Sequence, residues 1–275
     1  MELNKEKFVY WVTERDCVRH LKDGGMPKPW SIDPVFQRTY FCNIDREHDK
    51  VTRWIREQYD FIPDEYRVKM AVPNMILARM VNKPESLYEM GWPWDKLYAN
   101  TFRGVMSQKG SWGSAYIVST NGRAMPKHEY IAGLLEQAYT QFEGGVGANV
   151  PPLLSSWHKA IQALHGMGSF MAAQVIADLK NTKGHPLADA EDWHTWASHG
   201  PGSMRGLEWF HERKVTPSNF MEALTSARQW CYTNGHSGAI AHLCNQNLQN
   251  CFCEYDKYMR VSSGTGRSKR NYDGC

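Results

Sequence analysis

Residues 164–206 constrain the fold of this chain more than any other stretch. A glycine hairpin, Gly166-Met167-Gly168, stands between two segments with apolar residues at helical spacing. Leu153, Leu154, Trp157, Ile161 and Leu164 precede it, and Phe170, Ala173, Val175, Ile176 and Leu179 follow it. That pattern predicts helix–hairpin–helix. A Gly-x-Gly turn opening a helix presents backbone N–H groups at the positive end of the helix dipole, where a phosphate is well received. Gly166, Gly168 and Ser169 are therefore candidate contacts to a nucleic-acid backbone, which such a hairpin grips without reading bases. The plain alternative is an ordinary helix–helix turn.

The rest of the chain also reads as helical. Phe8, Trp11, Val12, Cys17 and Val18 mark a first amphipathic helix ended by Gly24-Gly25. Residues 45–59 repeat the pattern, and 71–81 form a short helix before the Trp- and Pro-rich stretch 91–94. Helical spacing returns at 128–142, 153–164, 169–180, 206–213, 217–231 and 236–258. The segment 113–122, closed by Asn121-Gly122, is the best strand candidate. The expected class is mainly α with few short strands, in two lobes. These are an N-terminal helical lobe over 1–150, a hairpin-bearing lobe over 151–259 and a basic flexible tail over 260–275, the lobes meeting in the loop 144–152.

Composition limits the options only loosely. The 275 residues are 42% hydrophobic and 22% charged, ordinary for a globular chain. A formal charge of +3 is too small to argue for nucleic acid alone. The last stretch, with Arg260, Arg267, Lys269 and Arg270 among Ser and Gly, is either a local basic patch or a solubilising end. No run of 18 apolar residues occurs and the N-terminus is no signal peptide, so no membrane partner is expected. Seven cysteines fit free thiols in a reducing compartment. Cys244, Cys251 and Cys253 are not spaced as iron–sulfur ligands, and buried thiols are the expectation.

Two constellations carry chemistry. Asp189, Glu191 and Asp192 lie beside Trp193 and Trp196, where partial burial would raise a carboxyl toward a useful base, although acids at a helix start also simply complement its dipole. The turn Gly200-Pro201-Gly202-Ser203 then offers N–H groups, with Arg205 able to fork onto phosphate oxygens. The second constellation is Trp30-Ser31-x-Asp33-Pro34 followed by Tyr40-Phe41-Cys42-Asn43-x-x-Arg46-Glu47-x-Asp49. If 42–55 were one helix, Asn43, Arg46, Glu47 and Lys50 would share a face. Asn and Arg beside aromatics suit a pyrimidine edge and a phosphate; a solvated face with internal ion pairs is the bland version.

Taken together, Trp-Ser-x-Asp-Pro, Tyr-Phe-Cys-Asn-x-x-Arg-Glu-x-Asp, Phe170-Met-Ala-Ala-Gln-Val-x-x-Asp178-Leu and His-Gly-Pro-Gly-Ser-x-Arg-Gly-Leu207 resemble the alpha-glutamyl/putrescinyl thymine pyrophosphorylases of bacteriophages. These amino acid:DNA transferases are related to the helical domain of phage 5-hydroxymethyluracil DNA kinases. The resemblance spans roughly residues 8–230. It implies a helix-hairpin-helix, DNA-glycosylase-like fold acting in the cytoplasm of an infected host on double-stranded phage DNA. The implied substrate is pyrophosphorylated 5-hydroxymethyluracil, whose pyrophosphate is replaced by a free amino acid or polyamine. No Gly-x-x-x-x-Gly-Lys-[Ser/Thr] occurs, so kinase activity is not expected of this chain.

On that resemblance, Arg46 and Arg205 with Gly200, Gly202 and Ser203 hold pyrophosphate, and Asp189 or Asp192 takes the amine proton. Trp30 and Trp193 stack on an extruded pyrimidine, and Asn43 bonds its edge. Nothing in the sequence requires a cofactor; a magnesium ion on Asp49 or Asp192 would assist the leaving group. Two other functions share the hairpin. A monofunctional DNA glycosylase would leave abasic sites, although Phe170 stands where lyase members place a lysine. A non-catalytic DNA-binding accessory would bind with strong salt dependence and not turn over.

Overall fold

The computed structural model describes residues 2–116, 118–142 and 150–266. Most of the expected lobe boundary in 144–152 and most of the basic tail thus lie outside the described residues. The described chain is helical, and no strand occurs among the described residues. In the stretch expected as a strand, the described residues (113–116 and 118–122) are irregular, and no described strand is there to pair with them. Its closing turn forms as read, with Asn121 and Gly122 both at positive φ (51° and 80°).

Two compact units emerge, and they are not consecutive halves: Met1–Asp49 with His194–Cys275, and Lys50–Trp193. The expected lobes divide the chain at 150 instead.

The first unit is built on α1 (Glu2–Asp23), α2 (Pro34–Arg38), α11 (Pro201–His211), α12 (Phe220–Thr233), α13 (Ser237–Ile240) and α14 (Asn245–Ser262), the intervening numbers belonging to the other unit. Its core centres on Phe8, which stacks on Phe252 at 4.1 Å and meets Phe210 edge-on at 5.6 Å. Cys17, expected on the apolar face of α1, is exposed. Asp33 caps α2 by accepting from the Val35 N–H at 2.7 Å, with Pro34 at the first helical position, so the Ser-x-Asp-Pro motif starts a helix. The stretch 236–258, expected as one helix, is two, since α13 ends before the Cys244 cap of α14.

Helices α11 and α14 make the closest approach in this unit. A Cβ on Gly206 would fall 1.9 Å from the Phe252 carbonyl oxygen, so only glycine lets the backbones meet there.

The second unit holds α3 (Lys50–Tyr59), α4 (Asp64–Lys69), α5 (Ala71–Val81), α6 (Pro84–Glu89), α7 (Ala99–Met106), α8 (Lys127–Phe142), α9 (Leu154–Gln162) and α10 (Ser169–Leu179). All residues of α5 are buried, which makes it the axis the others pack around. It carries one charge inward. Arg79 donates from Nε and Nη2 to both Asp178 carboxylate oxygens on α10, each at 2.6 Å, and Nη2 also reaches Thr52 Oγ1 at 3.0 Å. The pair is 2% and 0% exposed, so bidentate geometry and added hydrogen bonds must offset its desolvation.

Candidate active site and nucleic-acid interface

A turn that carries Gly166 and Gly168 joins α9 to α10. Gly166 sits at φ +96°, and its missing side chain makes room for the Tyr130 hydroxyl, 2.6 Å from where a Cβ would be. Gly168 caps α10, and His158 Nε2 on α9 bonds the Ser169 carbonyl at 2.9 Å, tying the two helices together at the turn. Phe170, expected on the buried face of α10, is 58% exposed. It stands in the first turn, beyond the reach of the core that takes Ala172, Val175 and Ile176.

Of the acids near the Trp pair, Asp189 is exposed at the end of a 3-10 turn, Pro186–Asp189. Asp192 accepts from the Leu154 and Ser155 N–H groups at 2.7 and 3.0 Å, which caps α9 from a distance in sequence. Both its oxygens are engaged with orphan helix donors, so the structure favours a capping role over the expected base. Trp193 donates to the Lys180 carbonyl at 3.1 Å and carries the Lys180 ammonium over its ring at 4.0 Å. These residues, like Gly166, Gly168 and Ser169, belong to the unit of α5.

The other expected residues belong to the unit of α14, whose flanks organise them. Residues 42–55 are not one helix, so Asn43, Arg46, Glu47 and Lys50 do not share a helical face. Asp45 caps a short 3-10 turn at Arg46–His48, and Asp49 leaves it in extended conformation before α3 starts. The break nevertheless brings the polar groups together. Asn43 Nδ2 donates to Asp49 Oδ1 at 2.8 Å, while the Asn43 carbonyl oxygen accepts from Arg15 Nη2. Both ends of the Asn43 amide are engaged, so it positions Asp49 and is not poised to read a base edge. Arg15 also holds the Cys42 carbonyl at 2.9 Å. Burial raises the Asp49 carboxyl above its usual range, and Arg46, Asn43 and Arg15 pull it partly back.

One flank of α14 fixes this loop. Asn247 Nδ2 bonds Asp45 at 2.9 Å, the Cys251 thiol lies 3.7 Å from the Ile44 carbonyl, and Glu254 accepts from the Cys42 N–H at 3.1 Å. The spacing i, i+4, i+7 puts all three on one face. The adjacent flank holds α11. Asp256, 1% exposed, accepts from Arg205 Nε and Nη2 at 3.1 and 2.9 Å and from Arg260 Nε at 3.1 Å. Lys257 pairs with Glu254 at 2.6 Å. The cations remain partly in solvent, at 48% for Arg205, 37% for Arg260 and 29% for Lys257. Buried carboxylates thus aim exposed cations outward, as an anion site requires.

Sequence reasoning missed Arg15, Glu254, Asp256 and Lys257. The i, i+3 and i+4 spacing of the acids and cations between Glu254 and Arg260 was the available signal.

The Gly200–Ser203 turn serves packing more than anion capture. Ser203 is buried and its hydroxyl bonds the Gly200 N–H and carbonyl at 3.1 and 3.0 Å; a Cβ on Gly202 would fall 2.5 Å from Cys253 Sγ. Trp30 donates to the Met26 carbonyl at 2.7 Å, with Lys22 and Lys28 over its ring. Among the described residues no group of three His, Cys, Asp or Glu side chains is placed to hold a metal ion. Asp49 has arginines for neighbours and Asp192 has helix donors, so neither donor set suits a divalent cation. A cavity of about 340 Å³ lined by Gly91, Pro93, Trp94, Asp95 and Tyr98 contains none of these residues and no cation. No described helix is long and apolar enough to cross a membrane.

The family model described as 5-hmdU DNA kinase, helical domain, matches residues 4–268. A 5-hmdU DNA kinase of Bacillus phage SP10 is 26% identical over 210 residues, which are 68% of this chain and 33% of the relative. The chain thus spans about a third of that relative's length. No solved structure matches it significantly.

Proposed function

The chain belongs to the 5-hmdU DNA kinase helical-domain family, and on that premise we propose that it is an enzyme of phage thymine hypermodification. It replaces the pyrophosphate of 5-pyrophosphoryloxymethyluracil in DNA with an amine or amino acid, inside the infected host cell. The observation that carries this reading is the cation row Arg205, Lys257 and Arg260, pinned by the buried Asp256 and Glu254. The loop of Arg46 and Asp49 is fixed on the same helix.

In the reaction the amine nitrogen bonds the 5-methylene carbon as the carbon–oxygen bond to pyrophosphate breaks. The leaving group carries its negative charge away, and cations held in advance stabilise that charge without reorganising. Arg46 and Arg205 are assigned this role, together with Lys257 and Arg260. The attacking nitrogen must shed a proton, and Asp49 accepts it. A carboxylate raised by burial is a better base than an exposed one. Asn43 and Arg15 act as positioning residues. Asp189 and Asp192 belong to the other unit, where Asp192 holds α9, and neither is given a step in this reading. The glycine hairpin grips the DNA backbone, and Trp30, in the unit of α14, is the stacking candidate for an extruded pyrimidine. No step is routed through a metal.

The test is to incubate the protein with DNA carrying pyrophosphorylated hydroxymethyluracil and pooled amines, then weigh the nucleosides by mass spectrometry. Amine-substituted thymidine with equimolar pyrophosphate is the expected product. Abasic sites without pyrophosphate would replace this reading with a glycosylase, and salt-dependent binding without turnover would replace it with an accessory domain.

A further inference from the structure

Three residues, Tyr116, Asn121 and Arg123, reach the hairpin directly or through Tyr130. Tyr116 meets the exposed Phe170 edge-on, with ring centroids 5.5 Å apart and planes at 73°, and its hydroxyl donates to Gln174 Oε1 at 3.0 Å, one turn along α10. Asn121 Nδ2 donates at 2.7 Å to the Tyr130 hydroxyl, the group that fills the space left by Gly166. Arg123 Nη2 lies 2.6 Å from His165 Nε2, directly before the hairpin, and its guanidinium stands over the Tyr130 ring at 5.7 Å. The glycine turn is thus flanked by an aromatic pair on one side and a fixed cation on the other.

Phe170 is 58% exposed in the first turn of a helix whose later residues, 175–179, are all buried. An exposed phenylalanine braced by a second ring costs hydration and adds nothing to the core. Tyr116, held at both ring and hydroxyl, keeps it from folding back. We propose that Phe170, braced by Tyr116, is a stacking wedge for an unstacked base. Arg123, steered by His165 and Tyr130, takes the neighbouring phosphate, so the hairpin surface binds DNA with a disrupted base step in preference to intact duplex. This rests on the DNA-modifying reading above, and supplies it with a device that stabilises the strand from which the pyrimidine leaves. The charge fits a polyanion, and an aromatic face accepts any base, so the preference is for structure and not sequence.

Fluorescence anisotropy with three probes of equal length tests this: an intact duplex, a duplex with a single mismatch carrying 2-aminopurine beside it, and a single strand. Wild type is expected to favour the mismatched duplex and to change its 2-aminopurine emission. Phe170→Ala, at an exposed position, should lose that preference by about 5- to 100-fold, the range for one base stacked on an aromatic ring, while intact duplex binding stays. Phe170→Trp should restore it. Arg123→Ala should weaken all three probes and lower the salt slope by about one phosphate contact. If wild type binds DNA but Phe170→Ala keeps both preference and emission change, the wedge is refuted and the functional reading stands. If wild type binds none of the probes, both fail.

Discussion

Burial holds the Asp49 carboxyl above the usual carboxylate range, and Arg46, Asn43 and Arg15 offset only part of that. A carboxyl raised on folding binds more protons folded than unfolded. Its contribution to stability is therefore greatest below the unfolded value and falls as pH rises through the folded one. Asp49→Asn, which keeps an oxygen for Asn43 to donate to, should melt at or above wild type at pH 7, with the difference gone near pH 3. A variant clearly less stable than wild type at pH 7 would make Asp49 a structural ion-pair partner instead.

His185 works in the opposite direction. Burial against Trp157 lowers it from 6.5 to about 4, so unfolded chains take up a proton that the folded ones refuse. Its contribution is complete above pH 6.5 and is lost as pH falls toward 4, by roughly 3 kcal/mol for the full shift. The stability gap between wild type and His185→Gln should narrow by about that amount between pH 7 and pH 4 in denaturant titrations. An unchanged gap would mean that folding does not shift the His185 titration.

Among the elements, α11 and α14 depend on glycines that were read for another purpose. A methyl at Gly206 meets the Phe252 carbonyl, rigid backbone, whereas one at Gly202 meets Cys253 Sγ, the end of a small side chain. Overpacking costs about 1–3 kcal/mol and more where backbone must move. Gly206→Ala should therefore destabilise well beyond Gly202→Ala in thermal melts, and equal losses would refute the close-approach reading.

The same helices show what periodicity can and cannot reveal. Helix α5 and the hairpin helices were legible because apolar spacing and glycine punctuation are local signals. The stretch 113–122 read as a strand because its β-branched residues were weighed without knowing that no strand forms among the described residues. The region 42–55 read as one helix because its polar spacing fits, while the Asp45 cap and the extended Asp49 depend on α14, two hundred residues away. In the proposed site, Arg46, Asp49 and Arg205 stood out by type. Their organisers Glu254, Asp256 and Arg15 were not, since a carboxylate that pins an arginine cannot be told from a solvated one before burial is known.

On the scale of the whole molecule, each unit keeps its own polar lock. In the unit of α5 the lock is Arg79–Asp178, with Arg56 Nη2 3.6 Å from the same carboxylate. Removing one partner leaves a charge buried, at about 3–5 kcal/mol, while an apolar pair of similar volume is often tolerated. Arg79→Met should thus be strongly destabilising, and adding Asp178→Leu should recover part of the loss by equilibrium unfolding. A double variant as unstable as the sum of the two singles would contradict that coupling.

The unit of α14 carries the proposed chemistry and the unit of α5 the hairpin, so catalysis and DNA binding should separate by mutation. The most direct measurement is single-turnover pyrophosphate release from pyrophosphorylated DNA by Asp49→Asn and Arg205→Ala, with DNA affinity followed in parallel. Release should fall at least about 100-fold in each, the scale of a lost general base or charge stabiliser, while DNA affinity stays within a few-fold of wild type. Wild-type release rates in both variants would contradict the assignment of the chemistry to this helix.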